Sequence, residues 1–173
     1  MKLGDDDFTL FGLPPRQALD RADLDARRRE LQARVHPDRH AAEGVSAQRL
    51  AMQWAVRVNE AYERLKDPLT RAAYLCALRG MAVDAERNTA MPAAFLAQQM
   101  AWREALDEAA GTAEVQALAA RIAAEERDRL AELERSLDVQ GDTAAAAALV
   151  RSLMFVARLR AEIERRLETL TPS

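Results

Sequence analysis

A chain of 173 residues, 49% hydrophobic and 31% charged, is long enough for one ordinary domain or two small ones with buried cores. Its 25 basic and 28 acidic side chains leave a net charge of −3, without the global positive field of a nucleic-acid binder. The single cysteine, Cys76, excludes an internal disulfide and a cysteine-built zinc site, and no run approaches the roughly 18 apolar residues of a membrane span.

The opening residues "MKLGDDDF" are acidic and lack an apolar run, so neither a secretory signal nor an Arg-rich transit peptide is expected, and a cytoplasmic location is. Alanine, leucine, arginine and glutamate dominate, aromatics are sparse, and strand-like alternation is absent. The fold class expected is all-α. A short apolar segment, Phe8 to Leu13, is expected to end at Pro14 and Pro15. The next helix should cover Arg21 to Val35, with Leu24, Leu31 and Val35 on one stripe, acids at its start and arginines later. Pro37 cannot continue that helix and restricts His36 to extended backbone.

Ser46 is a plausible N-cap for a third helix running to Lys66, with Ala47, Leu50, Trp54, Val58, Ala61 and Leu65 on one face. Asp67-Pro68 reads as an N-cap followed by proline in the first turn of a fourth helix, Leu69 to Arg79, stopped by Gly80. Residues 80–91 have weak periodicity and read as a linker between residues 1–79 and 92–173. Three long helices follow, Pro92 to Ala110, Ala113 to Leu137 and Thr143 to Leu170. Gly111-Thr112 and Gly141-Asp142 punctuate them, each pairing a C-terminal glycine with an N-cap residue, and such short connections predict an antiparallel three-helix bundle.

The only two histidines lie in "RVHPDRHA", Arg34 to Ala41. His36, Asp38 and His40 are three potential metal ligands, the basis of an alternative reading as a metal-dependent helical hydrolase. They alternate along one turn, however, with no further histidine or cysteine cluster to complete a shell. A solvated turn that merely ends a helix is the plainer alternative.

The surrounding order of elements resembles the J domain of chaperone partners. The likeness is carried by "FTLFGLP" (Phe8 to Pro14), "VHPDR" (Val35 to Arg39) and "NEAYERLKDPLTRAAYL" (Asn59 to Leu75). Arg28 stands where J domains usually carry an aromatic, and Val35 where they often carry tyrosine. In the second half, "PAAFLAQQMAWREALDE" (Pro92 to Glu108) and "LVRSLMFVARLR" (Leu149 to Arg160) resemble HscB, the J-domain co-chaperone family of iron–sulfur cluster assembly, in its bacterial form.

The resemblance implies that His36, Pro37 and Asp38 contact a DnaK-type chaperone, HscA, and stimulate its ATP hydrolysis. Arg28, Arg29, Arg34 and Arg39 would steer that encounter. It also implies that the bundle binds the scaffold protein IscU. It implies no enzymatic activity, no cofactor or resident metal, and no nucleic-acid or membrane partner; a J protein serving a different client is the near alternative.

A binding face is also legible in the periodicity. Phe95, Trp102, Leu106 and Ala109 share one core stripe, from which Leu96 and Met100 point about 100° to 140° away at about 100° per residue. Leu149, Leu153, Val156, Ile163 and Leu167 form the stripe of the last helix, and Phe155 points about 120° from its centre. If these helices are neighbours, Leu96, Met100 and Phe155 are expected to form one apolar patch with Glu104 at its edge.

Overall fold

The computed structural model describes residues 2–36, 44–83 and 91–170. Among them there are seven α-helices and no strand: α1 (Asp7–Phe11), α2 (Arg21–Val35), α3 (Val45–Lys66), α4 (Pro68–Leu78), α5 (Ala93–Glu108), α6 (Thr112–Arg135) and α7 (Thr143–Leu170). A π-helical turn, Ser136–Gln140, extends α6. The chain divides into two compact units, Met1–Leu75 and Cys76–Ser173, and the division falls within α4.

In the first unit, Asp6 caps α1 by accepting from the Thr9 amide at 3.0 Å. The helix stops at Gly12, before the prolines expected to end it. Gly12 adopts the left-handed conformation, φ 65°, and its amide donates to the Thr9 carbonyl while Leu13 donates to Phe8. Arg27 of α2 donates to the carbonyls of Phe11 and Gly12, both at 3.0 Å, closing this terminus from a second helix.

Helix α2 has the bounds and the apolar stripe that its sequence predicts: Leu24, Leu31 and Val35 are buried. Asp20 caps it through the Ala22 amide at 2.8 Å. It lies antiparallel to α3, since Arg21 reaches the Lys66 carbonyl, Tyr62 reaches Asp25, and Arg28 reaches Asn59. Helix α3 begins at Val45 after Gly44, so Ser46 is inside the first turn and is not the N-cap. Its buried residues are Ala51, Val58, Ala61, Tyr62 and Leu65, whereas Leu50 is exposed and Ala47 and Trp54 are half-buried. The cause is length: α3 has 22 residues and α2 has 15, so the first turns of α3 run past the end of its partner.

Asp67 caps α4 as expected, accepting from the amides of Leu69 and Thr70 at 3.0 and 2.8 Å. Two polar clusters join the pieces of this unit. Buried Arg71 donates to the carbonyls of Gln17 and Leu65, at 3.0 and 2.6 Å, and Gln17 donates to the Pro68 carbonyl at 2.8 Å. Asp7 is fully buried, with its carboxylate 2.7 Å from Arg57 and 2.6 Å from Arg64 of α3. Its amide donates to the Tyr74 hydroxyl of α4 at 2.9 Å.

The second unit is the up-down-up bundle expected. Arg129 of α6 pairs with Gln98 of α5 and lies over the Phe95 ring. Arg160 of α7 pairs with Glu126 of α6, and Arg103 of α5 pairs with Glu162 of α7. The core joins Phe95, Trp102 and Ala109 to Val115, Leu118 and Ile122, and to Val156, Leu159 and Ile163. Thr112 is the first residue of α6, where Gly111 is the N-cap; the exposed amide of Ala110 is satisfied by the Glu114 carboxylate at 2.7 Å. At the other connection Gly141 is left-handed, φ 67°, and Asp142 caps α7 through Ala145 at 2.9 Å. Val83 is buried in this unit and its carbonyl accepts from Arg151, so residues beyond Gly80 take part in the packing.

Burying a carboxylate is tolerated only when charge partners compensate, and removing one partner leaves the others unmatched. Asp7→Asn should therefore cost about 2 kcal/mol, a loss typical of charge-assisted hydrogen bonds in a partly solvated cluster. Urea denaturation followed by circular dichroism measures it. An unchanged midpoint would remove the Asp7 charge from the interactions that hold α1.

Candidate functional site

The first candidate surface is the C-terminal end of α2. Its last helical residue, Val35, is buried, and His36 follows with extended backbone (φ −62°, ψ 126°) and an exposed side chain. That is the conformation a following proline imposes. Pro37, Asp38, Arg39 and His40 lie outside the described residues, so the expected turn and the three-ligand reading have only His36 placed. No group of three potential metal ligands occurs among the described residues.

The arginines expected to flank the turn differ in surroundings. Relative to the stripe of Leu24, Leu31 and Val35, Arg28 sits about 40° away, Arg34 about 80° on the opposite side, and Arg29 about 140° away, at 3.6 residues per turn. They do not share one face. Arg29 and Arg34 are exposed, whereas Arg28 is half-buried. Its guanidinium lies 4.0 Å from the centre of the Tyr62 ring and 3.4 Å from the Asn59 side-chain oxygen. A planar cation on an aromatic face fills the place where an aromatic is usual in J domains.

The same tyrosine donates to Asp25 at 2.8 Å and accepts from Arg21 at 2.7 Å. The Tyr62 hydroxyl and then the Arg21 guanidinium hold the Asp25 carboxyl below the usual carboxylate range. Tyr62 is thus the centre of the polar seam between α2 and α3. Sequence reasoning missed it because its residue type suits a core position equally well.

The second candidate surface lies between α5 and α7. Phe95 meets Phe155 edge-on, with ring centres 6.4 Å apart, so the two helices are neighbours as the expected patch requires. Leu96 and Phe155 line one hollow of about 250 Å³, together with Met91 before α5, Gln99 on α5, and Arg151, Met154 and Arg158 on α7. Leu96 is 45% exposed and Met100 72% exposed. Met100 and Glu104 continue the row along α5 but do not line the hollow, so only part of the expected patch converges.

Phe155 is less free than its angle suggested. It is half-buried against the bundle core, with Arg103 over its ring at 5.4 Å. Gln99, Met154, Arg151 and Arg158 were not singled out in the sequence, although Gln99, Arg151 and Arg158 each lie three or four residues from Leu96 or Phe155 and so share that side. Cys76 is buried in the second unit, and burial raises its thiol pKa despite the opposing charges of Arg79 and Arg151. It is a packing residue.

Residues 91–164 match the family model described as the HscB C-terminal oligomerisation domain. The chain is 54% identical to the protein named co-chaperone protein HscB homolog in Burkholderia mallei, over 98% of both chains. It is 50% identical to the one of that name in Burkholderia cenocepacia, again over 98% of both. The chain belongs to the HscB family of co-chaperones.

Solved structures agree. Chaperone HscB from Vibrio cholerae superposes with a TM-score of 0.83 at 37% identity, over 96% of this chain and all of that one. Human co-chaperone protein HscB gives 0.90 at 23% identity, over 96% of this chain and 84% of that one, a likeness of fold. The HscB architecture is an N-terminal J domain followed by a helical bundle, and this all-α chain has it.

The surroundings of the bundle residues predict how each will respond to truncation. Phe155→Ala removes part of a packed aromatic cluster and should cost roughly 1–3 kcal/mol, below the range for a fully buried phenylalanine. Leu96→Ala and Met100→Ala should each stay within about 0.5 kcal/mol of the parent, as surface substitutions do. Urea midpoints of the three variants decide the matter, and equal losses would show that the exposed and packed positions had been wrongly separated.

Proposed function

We propose that this chain is a co-chaperone that carries the iron–sulfur scaffold protein IscU to the DnaK-type chaperone HscA and stimulates that chaperone's ATP hydrolysis. The observation that carries the reading is full-length likeness to co-chaperones named HscB, with both halves of the chain covered. Residues 1–79 supply the J-type contact, residues 92–173 the client contact, and 80–91 join them. The chain acts in the cytoplasm and by contact alone: it has no catalytic residue, and the hydrolysis belongs to its partner.

In the chaperone contact, His36 and Asp38 present an imidazole and a carboxylate from a turn that Pro37 holds extended at its start. Arg29, Arg34 and Arg39 supply positive charge that speeds encounter with an acidic surface. Arg28 contributes through its hold on Tyr62, which keeps α2 seated on α3 and so positions the end of the helix. In the client contact, Leu96, Met100 and Phe155 are the apolar anchors and Glu104 the polar edge. Among the described residues, no helix is long and apolar enough to cross a membrane, and none is needed for such a role.

Two measurements test the reading. His36→Gln and Asp38→Asn should each remove stimulation of the HscA ATPase while leaving helicity and thermal stability close to those of the parent. Near-normal stimulation by both variants, with the chaperone's own activity verified, would overturn the assignment of the turn. Leu96→Ala with Met100→Ala should weaken IscU binding by roughly tenfold, about 1.4 kcal/mol, because interface energy concentrates in a few apolar anchors. Titration by calorimetry reads this directly. Unchanged affinity in the folded double variant would place the client surface elsewhere.

A further inference from the structure

The hollow between α5 and α7 contains more chemistry than an apolar patch requires. Gln99 is only 6% exposed, yet its side-chain amide donates to the Met91 sulfur at 3.3 Å. A thioether is a weak acceptor, so a buried amide held by one is poorly matched in its own fold. On the opposite wall stands Arg158, exposed on α7. Arg151, four residues before Phe155 on the same helix, shares the hollow and donates to the Val83 carbonyl at 3.3 Å. Met154 also lines the hollow and adds no charge. The walls are therefore apolar with two guanidinium groups and one amide, and none of the seven lining residues is acidic.

We propose that this hollow recognises an apolar side chain of the client together with an adjacent carboxylate. The apolar group lies against Leu96 and Phe155, and the carboxylate pairs with Arg158. The Gln99 amide exchanges the Met91 sulfur for an oxygen of the client, which is a stronger acceptor. Gln99 and Arg158 are then specificity residues: the apolar walls accept any group of suitable size, and the amide and guanidinium select one with oxygen acceptors beside it. This rests on the reading of the bundle as the scaffold-binding domain and adds the chemistry of what it selects.

The test uses the full-length chain and purified IscU as the probe, with calorimetric titrations at low and high salt. Arg158→Glu should weaken binding by roughly tenfold at low salt, and Arg158→Lys by much less, because charge reversal turns an attraction into a repulsion. The parent's affinity should fall as salt rises, and that of Arg158→Gln should fall less. Gln99→Met, which conserves volume and removes the ill-matched amide, should weaken binding about threefold or more without lowering the urea midpoint. A residue with only a structural role would not separate those two readouts.

Loss of affinity in Leu96→Ala/Met100→Ala, with parent-like binding by Arg158→Glu and Gln99→Met, would overturn this proposal and leave the docking surface in place. Parent-like binding by all of them would overturn both. A parent affinity independent of salt would also overturn the pairing of Arg158 with a carboxylate.

Discussion

The first unit is organised around one buried charge. Asp7 has no exposed surface, and an isolated carboxylate there would carry a large desolvation cost. Arg57 and Arg64, two turns apart on α3, offset it from the same face of that helix. The arrangement has a geometric consequence. Asp7 opens α1, so its position fixes the start of that helix against α3, while Tyr74 takes its amide proton from α4. Phe8 is thereby delivered into the core, stacked against the Tyr74 ring at 6.0 Å. Arg57 uses its remaining capacity on the carbonyl of Asp5, at 2.8 Å, which holds the segment before the helix. A five-residue helix has little stability of its own. It persists because its first residue is clamped by ions and its last turn is closed by Arg27.

The clamp gives the paired helices α2 and α3 a defined base. Their seam is polar at its rim and apolar at its centre. Leu24, Leu31 and Val35 supply the apolar part, and Tyr62 gathers Arg21, Asp25 and Arg28 at the rim. A ring flanked by cations is a stable substitute for aromatic packing, since the guanidinium is weakly hydrated and gives up little on stacking. Helix α2 is thus held from Arg21 to buried Val35, the residue before His36. On the proposed reading the segment after α2 acts by contact, and a loosely held helix would then lose binding energy to ordering.

Much of this was legible in the sequence, for identifiable reasons. The bounds of α2 followed from a proline, an acidic start and a three-residue stripe, all local signals. Asp67 and Asp142 were recognised as caps because an aspartate followed by helix-forming residues has few other uses. The errors share a cause as well. Ser46 and Thr112 have the composition of caps, but glycines at 44 and 111 hold those positions. The Gly12 terminus was misplaced because Pro14 and Pro15 are the louder signal, although the left-handed glycine acts first. The clusters at Asp7, Tyr62 and Arg71 were invisible for a deeper reason: each joins residues dozens of positions apart, and no periodicity reports such a meeting.

The surface between α5 and α7 shows the same boundary between local and tertiary information. Helical angle alone separates Leu96 and Met100 from Phe95 and Trp102, and the structure keeps them apart as exposed and buried. Angle could not show that Phe155 belongs to both sets. Its ring lies between the edge of Phe95 and the guanidinium of Arg103, which is itself tethered to Glu162 at 3.4 Å. A ring held in this way has already lost its rotamer freedom on folding, so a partner that contacted it would not need to order it again. Leu96 and Met100 have no comparable packing and are exposed. On the proposed reading, the surface combines one packed aromatic with two exposed aliphatic groups. The cost is that Phe155 cannot be altered for binding without also altering the bundle that presents it.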